Sequence, residues 1–439
     1  MFDEVEEITV VTIVFFIVLF LLTILFRLFS NFENENSKLN DIIFRQRLRD
    51  FCPAALLNEP KNDLLENNSK IETFAVNEGD EYGIDLAKVN YLNMLNSLKI
   101  KEIAAECIYK YGVGTCGPRG FFGTTEIHLE LESSLAKFLG MEEAIIYAYG
   151  FAAPSNAVPA YCKKTDVIFC DEKINFALEQ GVLASKSIMI YFKHNSINDL
   201  RQKLIEASEM NSPLCHLRKF LIIEGIYCKT GTICPLPDLL GLVKTYKLRI
   251  FIDESISFGI LGEKGRGVTE HFGIDVNEID LIIGSLEGAV GSIGSFCAST
   301  KSIIEQQRLS STGYVFSASL PTFQVRAAIT ALKMIDSSPE DLFRLQLLSR
   351  KVHKFLQTSL CYSVQSDPIS PYKVFNFKIK ENRWQCEREI CDYCRSNGIY
   401  LIANEYGIIM NLNVSLYYQK SKLLNIFAVL DCAANNLVH

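Results

Sequence analysis

The hydrophobic pattern of the chain changes character twice. Residues Ile8 to Phe26 form an uncharged run that is apolar on every helical face. At 1.5 Å per residue a helix over it is about 28 Å long, close to a bilayer hydrocarbon core, and it predicts a membrane-spanning helix. The flank before it is acidic (Asp3, Glu4, Glu6, Glu7) and no small-residue cleavage site follows, which argues against a secretory signal. Arg27, Arg45, Arg47 and Arg49 come after the run, so the positive-inside rule places the remaining body in the cytosol. Residues 31–80 are rich in Asn, Glu, Asp and Lys and predict a linker with one short helix around Phe44 to Phe51.

Beyond residue 100 short β-rich runs alternate with helical stretches. The runs are Ala144 to Ala148, Val167 to Cys170, Ile188 to Phe192, Phe220 to Ile223, Arg249 to Ile252 and Leu281 to Gly284. Such alternation predicts an α/β domain with a mostly parallel sheet. After Pro321 a long helix leads to a second unit. There KVFNFKIK (373–380) alternates with period two, which places Phe375, Phe377 and Ile379 on one face, and GIIMNLNVSL (407–416) supplies another strand. Helices near 384–396 and 419–435 are expected to cover one side. The expected division is a membrane helix (1–30), a linker and N-terminal arm (31–100), a large α/β domain (101–324) and a smaller α+β domain (325–439).

Composition narrows the setting. A chain of 439 residues that is 49% hydrophobic can bury a large core, and a net charge of -7 weighs against a nucleic-acid partner. Fourteen cysteines occur without a disulfide-framework spacing, as suits a reducing compartment. Cys116, Cys162, Cys170 and Cys234 are expected as small buried thiols.

Candidate chemistry is sparse. Asp253 ends an apolar strand and opens a glycine-punctuated loop, where a carboxylate suits capping or backbone bonding as well as a cofactor contact. Tyr149-Gly150-Phe151 joins a strand to a predicted helix, which is either a plain turn or a place where backbone N–H groups cradle a phosphate. His128 lies in a helix beginning near Thr125 and is expected to be a surface or internally satisfied side chain. Gly112, Gly114 and Gly117 spell G-x-G-x-x-G, but a helical run precedes them rather than a strand, so the dinucleotide reading fails. Cys391 and Cys394, with Cys386 nearby, lack a second pair of ligands and read as helix thiols rather than a metal site.

Five long segments carry more information than these motifs. They are YGVGTCGPRGFFGTTEIHLELE (111–132), EEAIIYAYGFAAPSNAVPAY (142–161), IIEGIYCKTGTICPLPDL (222–239), ESISFGILGEKGRGVTEHFGI (254–274) and GYVFSASLP (313–321). From about residue 80 onward the chain resembles the α-oxoamine synthases, pyridoxal-phosphate (PLP) enzymes of transferase fold type I. Within them it is most similar to the non-catalytic first long-chain-base subunits of serine palmitoyltransferase. The resemblance implies a large domain with a mostly parallel seven-stranded sheet and a smaller α+β domain. The arm segment NYLNMLNSLKIKEI (90–103) is compressed relative to that family and lacks its leucine-glycine turn.

What the family has and this chain lacks is specific. In LIIGSLEGAVGSIGSFC (281–297) Gly288 stands where the family's Schiff-base lysine would be, and glycine has no amine to offer. Asn175 falls at the position of the ring-stacking histidine, Ile256 at a loop histidine, and Asn411 at the arginine that holds the amino-acid carboxylate. By the resemblance Asp253 corresponds to the pyridinium partner, and Tyr149, Gly150 and Phe151 to a vestigial phosphate cradle. No catalytic residue is expected in this chain.

Thr115, Cys116, Arg119, Phe121 and Phe122, with Phe316, Ser317, Ala318 and Ser319, are implied contributors to a partner's site. The resemblance thus implies a structural and regulatory subunit of an obligate heterodimer. A homologous lysine-bearing chain would hold PLP covalently and condense L-serine with palmitoyl-CoA. It also implies the endoplasmic reticulum membrane as the location, with small regulatory membrane subunits as further partners and no nucleic acid. Two alternatives stay open. One is a self-sufficient homodimeric synthase with a displaced lysine (Lys264 or Lys301), and the other a membrane scaffold or sphingolipid sensor without catalytic partner.

Overall fold

The computed structural model describes residues 20–24, 45–47, 49, 83–378 and 381–438. The expected membrane helix over Ile8 to Phe26 lies outside these residues apart from 20–24, which are helical. Among the described residues no helix is long and apolar enough to cross a membrane. The expected helix around Phe44 to Phe51 is described only at 45–47 and 49, also helical. The chain divides into two units, 1–79 and 80–439, and among the described residues every strand belongs to the second.

Strand β1 (Ile84–Asp85) lies in the arm. The large sheet is made of β2 (Glu143–Tyr147), β3 (Val167–Asp171), β4 (Ile188–Phe192), β5 (Lys219–Glu224), β6 (Arg249–Asp253), β7 (Leu281–Ser285) and β8 (Ser295–Ser299). Its order is β2-β8-β7-β6-β5-β3-β4, with β8 antiparallel to both neighbours and the other pairs parallel. Every residue of β3 and β5 is buried. Strands covered on both faces have no solvent side for polar residues, which is why VIFC and FLII read as continuous apolar runs.

β8 escaped the hydrophobic pattern because SFCAS begins and ends with serine. Both hydroxyls are spent inside. Ser295 Oγ donates to the Tyr149 carbonyl and accepts from the Ala153 amide at 3.0 Å, while Ser299 Oγ donates to the Asp280 carbonyl. A buried polar group with a local partner costs little, so the strand is as buried as its neighbours.

The C-terminal part carries β9 (Tyr362–Val364), β10 (Tyr372–Phe377), β11 (Ile399–Tyr400), β12 (Ile402–Asn404) and β13 (Gly407–Asn411). An antiparallel sheet runs β12-β13-β10-β9, and β1 pairs in parallel with β11, tying the arm to this region. The period-two reading of β10 set Phe375 and Phe377 on one face, and in the fold all six residues of the strand, on both faces, are buried. Lys373, on the polar side, is enclosed and donates from Nζ to the carbonyls of Asp367 (2.8 Å) and Pro368 (3.1 Å). Ile379 lies outside the described residues. The strand expected to reach residue 416 stops at Asn411, because Asn413 Oδ1 accepts from the Ser415 amide at 2.8 Å and turns the chain into helix Ser415–Tyr418.

The expected domain boundary at 324/325 falls inside helix Thr322–Ser337. This helix packs on helices Leu98–Tyr111 and Glu126–Leu139, so its residues belong with the large sheet's layer. Pro321 at its N-cap starts the helix, and nothing interrupts it until Ser338. Among the cysteines Cys162, Cys170 and Cys234 are buried, as are Cys391 and Cys394 on helix Arg383–Ser396. Cys116 is exposed instead, at a left-handed turn (φ 55°) that holds it out of the core. Among the described residues no cluster suited to a metal ion occurs.

Candidate functional site

The carboxyl ends of β5, β6 and β7 bring Glu224, Asp253 and the turn to Gly288 to one edge of the sheet, where open α/β sheets place their ligands. Asp253 and Glu224 pair in register across β6 and β5, both buried. Asp253 is fully engaged within the chain. Its Oδ2 accepts from Asn175 Nδ2 at 2.8 Å, and its Oδ1 accepts from the Ser255 amide at 2.9 Å and from Ser255 Oγ at 2.5 Å. Burial raises its pKa, and the Ser255 and Asn175 hydrogen bonds oppose that rise. Glu224 is pushed well above the usual carboxylate range by burial first and by the neighbouring Asp253 second.

Asn175 has three tasks here. Its side-chain amide bonds Asp253, its Oδ1 accepts from the Leu178 amide at 2.8 Å as N-cap of helix Phe176–Ser185, and its own amide donates to Glu224 Oε1 at 2.5 Å. A residue so committed is a structural brace rather than a ring-stacking group. Ile256 is half-buried against the core and adds apolar contact only.

Gly288 is covered from the arm. A Cβ built there would lie 3.0 Å from Cε2 and 3.4 Å from Cδ2 of Tyr91, and 3.6 Å from Cγ1 of Val89. Tyr91 is 1% exposed, donates its amide to the Gly288 carbonyl at 3.3 Å, and points its hydroxyl at Asn411 Oδ1, also 3.3 Å away. Asn411 in turn donates from Nδ2 to the Ala87 carbonyl at 3.0 Å and from its amide to the Leu86 carbonyl at 2.8 Å. Gly288 and Asn411, 123 positions apart in sequence, are thus bridged by one ring from the arm. Tyr91 carries no motif. The compressed segment 90–103 was the one sequence signal that the arm differs here.

Next to this edge Glu254 is buried with Oε1 accepting from the Val268 amide at 2.8 Å and Oε2 bonded to Ser257 Oγ. Burial raises its pKa from an ordinary 4.5 to about 7. A carboxyl with a raised folded pKa holds its proton more tightly in the fold. The stability it contributes is therefore full below about pH 4.5 and lost as pH rises through about 7. Glu254→Gln keeps an acceptor for Val268 and a partner for Ser257 but cannot ionise. It should remove on the order of 3 kcal/mol from the fall in stability between those limits, read from urea unfolding at each end. An unchanged pH slope would show that Glu254 does not titrate in that window.

The segments expected at a partner's site meet each other. Pro118 and Ala318 form an antiparallel bridge, Thr115 Oγ1 donates to the Ser319 carbonyl at 2.9 Å, and the Ser319 amide donates to the Gly117 carbonyl at 2.9 Å. Ser317 Oγ donates to the Gly313 carbonyl. Arg119 does its bonding inward. It makes a bidentate ion pair with Glu132 (2.8 and 3.0 Å) and donates from Nε to Thr124 Oγ1 at 2.9 Å. Cys116 and Ala318 are exposed, and with them the rings of Phe121, Phe122 and Phe316 (80%), as are Tyr149 and Phe151. Phe122 has φ 63°, unusual for a side chain of that size, so the turn holds the ring out at some backbone cost. His128 is buried and satisfied, with Nδ1 accepting from the Thr125 amide at 3.1 Å and Nε2 bonded to the Leu320 carbonyl at 2.8 Å. Lys264 lies exposed on a loop, and Lys301, also exposed, opens helix Lys301–Ser310 just after β8, whose antiparallel course puts it at the sheet edge opposite the carboxyl ends of β5, β6 and β7.

These residues do not fit PLP in this chain's own site. No amine stands at position 288, a tyrosine ring covers it, and both oxygens of Asp253 already have donors.

Comparison with known proteins agrees with the fold described above. Residues 82–411 match the family model described as aminotransferase class I and II. Long chain base biosynthesis protein 1b of Oryza sativa subsp. japonica is 38% identical over 295 residues, 67% of this chain and 61% of that protein. Serine palmitoyltransferase 1 of Dictyostelium discoideum is 35% identical over 387 residues, covering 86% of this chain and 80% of that one. The chain therefore spans less than two thirds of the rice relative. Among solved structures the Sphingomonas wittichii serine palmitoyltransferase superposes with a TM-score of 0.74 at 25% identity, over 81% of this chain and 88% of that one. With its fold and most of its length matched in this way, the chain belongs to the aminotransferase class I and II family, of PLP fold type I, on the branch of serine palmitoyltransferase 1 and long chain base biosynthesis protein 1.

Proposed function

We propose that this chain is the structural and regulatory subunit of a heterodimeric serine palmitoyltransferase. A homologous, lysine-bearing partner holds PLP covalently and supplies the carbanion chemistry of that cofactor. The complex joins L-serine to the acyl group of a long-chain acyl-CoA, typically palmitoyl-CoA. It releases CO2 and coenzyme A and forms 3-ketodihydrosphingosine, the opening product of sphingolipid synthesis. A single-pass anchor over Ile8 to Phe26 would hold the complex at the endoplasmic reticulum membrane with its body in the cytosol. Both the acyl-CoA and the product partition into bilayers.

One observation carries this reading: the site edge is closed by Tyr91 over Gly288 while the segments bearing Phe121, Phe122 and Phe316 are built and left exposed. Exposed aromatic rings on a braced loop suit a protein interface, where large rigid side chains contribute most. In the proposal Arg119, Thr115 and Ser319 hold the loop and the phenylalanines meet the partner. The displaced-lysine alternative finds no support in the positions of Lys264 and Lys301.

The test is expression of this chain alone and together with a lysine-bearing homologue. Serine-dependent release of CO2 should occur only in the co-expressed complex. A lysine of the isolated chain trapped by borohydride with PLP would overturn the proposal. Absence of both a complex and CO2 release would favour the scaffold reading.

A further inference from the structure

Between β2 and helix Ala152–Tyr161 the backbone turns at Tyr149-Gly150-Phe151, a corner whose free N–H groups would attract an anion. Two of the donors at this helix start already have partners within the chain. The Ala152 amide donates to the Tyr149 carbonyl at 3.1 Å, and the Ala153 amide donates to Ser295 Oγ at 3.0 Å. The Glu287 carboxylate lies against Gly150 itself. The carboxylate presses so closely that a Cβ on Gly150 would lie 2.5 Å from Oε1 and 3.0 Å from Oε2. A side chain at position 150 would displace that carboxylate from the corner.

Glu287 is also aimed from behind, since its amide donates to Ser285 Oγ at 3.1 Å at the end of β7. Much of the residue is exposed, but its carboxyl group is turned into the corner. Burial pushes that carboxyl up, and the Gly150 amide opposes the rise by favouring the charged form.

We propose that Glu287 is an internal anion that occupies the seat a phosphate would take, so that this corner of the fold is complete with no phosphate bound. Glu287 and Gly288 are adjacent, so one turn after β7 both lacks the amine and supplies the substitute charge. The seat faces an anion for the same physical reason it would face a phosphate: a helix start with inward N–H groups and a positive dipole end. This goes beyond the proposed assembly and does not depend on it, because it concerns only contacts within the chain.

The test uses the full chain with Glu287→Ala and Glu287→Gln, prepared without phosphate, and follows thermal unfolding against inorganic phosphate. Chloride at matched ionic strength serves as the reference. The unsubstituted chain should show the same Tm in both salts. Each variant should gain a phosphate-specific rise of about 2 °C or more once the ion is well above its Kd. A phosphate-specific rise in the unsubstituted chain equal to that of the variants would mean the seat is open, and would overturn the proposal. So would folded variants that respond to chloride and phosphate alike. Should a variant be unfolded as prepared, refolding driven by phosphate but not chloride supports the internal anion, and failure of phosphate to restore the fold overturns it. Loss of complex activity bears on the proposed function, whereas phosphate dependence bears only on Glu287.

Discussion

Arg119→Ala should destabilise the fold by about 3–5 kcal/mol, measured as a fall in the urea midpoint at unchanged slope. The magnitude comes from what is left behind. Arg119 and Glu132 have side chains only 5% and 6% exposed, and their two parallel bonds are the arginine's main contact. Without the guanidinium the Glu132 carboxylate stays buried with just the Ile146 amide, 3.1 Å from Oε1, as donor. The loss is mostly that stranded charge rather than the worth of the pair itself. Arg119→Ala combined with Glu132→Gln should therefore recover part of the stability, because the amide still accepts from Ile146 and carries no charge. If the double variant is no more stable than the single one, the stranded-charge account fails. The guanidinium also lies 5.7 Å over the Tyr314 ring, so lysine cannot replace it: neither the fork nor the planar stack is available to an ammonium. Since Arg119 sits on the turn that carries Phe121 and Phe122, the proposal further expects Arg119→Ala to weaken complex formation.

Tyr91→Ala should cost a similar amount, about 3–5 kcal/mol, the range for emptying a buried aromatic site. The ring fills the space over Gly288, and its backbone joins the arm to the chain on both sides. The Tyr91 amide donates to Gly288, and its carbonyl accepts from the Val414 amide at 2.8 Å. Tyr91→Phe keeps the packing and removes only the bond to Asn411, so its cost should be near 1 kcal/mol. A large loss in Tyr91→Phe would shift the weight from packing to the hydroxyl. A small loss in Tyr91→Ala would mean that the arm does not close this edge in solution. Burial also pushes the Tyr91 phenol well above its ordinary range, so it remains neutral and acts as a donor to Asn411.

Much of the large sheet was legible because its strands are apolar through their middle, with charged residues such as Lys219, Glu224, Arg249 and Asp253 only at their ends. Six of its seven strands announced themselves as short apolar runs. The seventh, Ser295–Ser299, was not legible, since its serines find partners only once Tyr149 and Asp280 are brought beside them. Local signals likewise placed helix Thr322–Ser337 after Pro321 but not the layer it joins, which depends on helices more than 180 residues earlier.

The site divides in the same way. The sequence by itself determined that position 288 has no amine, that positions 175 and 256 have no imidazole, and that an aspartate ends β6. Those are statements about which atoms exist, and covalent structure is enough for them. Tertiary structure alone decided what took their place. A ring at position 91 covers Gly288, Asn175 and Ser255 hold Asp253, Glu287 fills the corner at Gly150, and Arg119 turns inward to Glu132. Each of these contacts joins residues far apart in the chain or on opposite sides of a tight turn. Its existence depends on distances of a few ångströms, which hydrophobic periodicity and motif spacing do not encode.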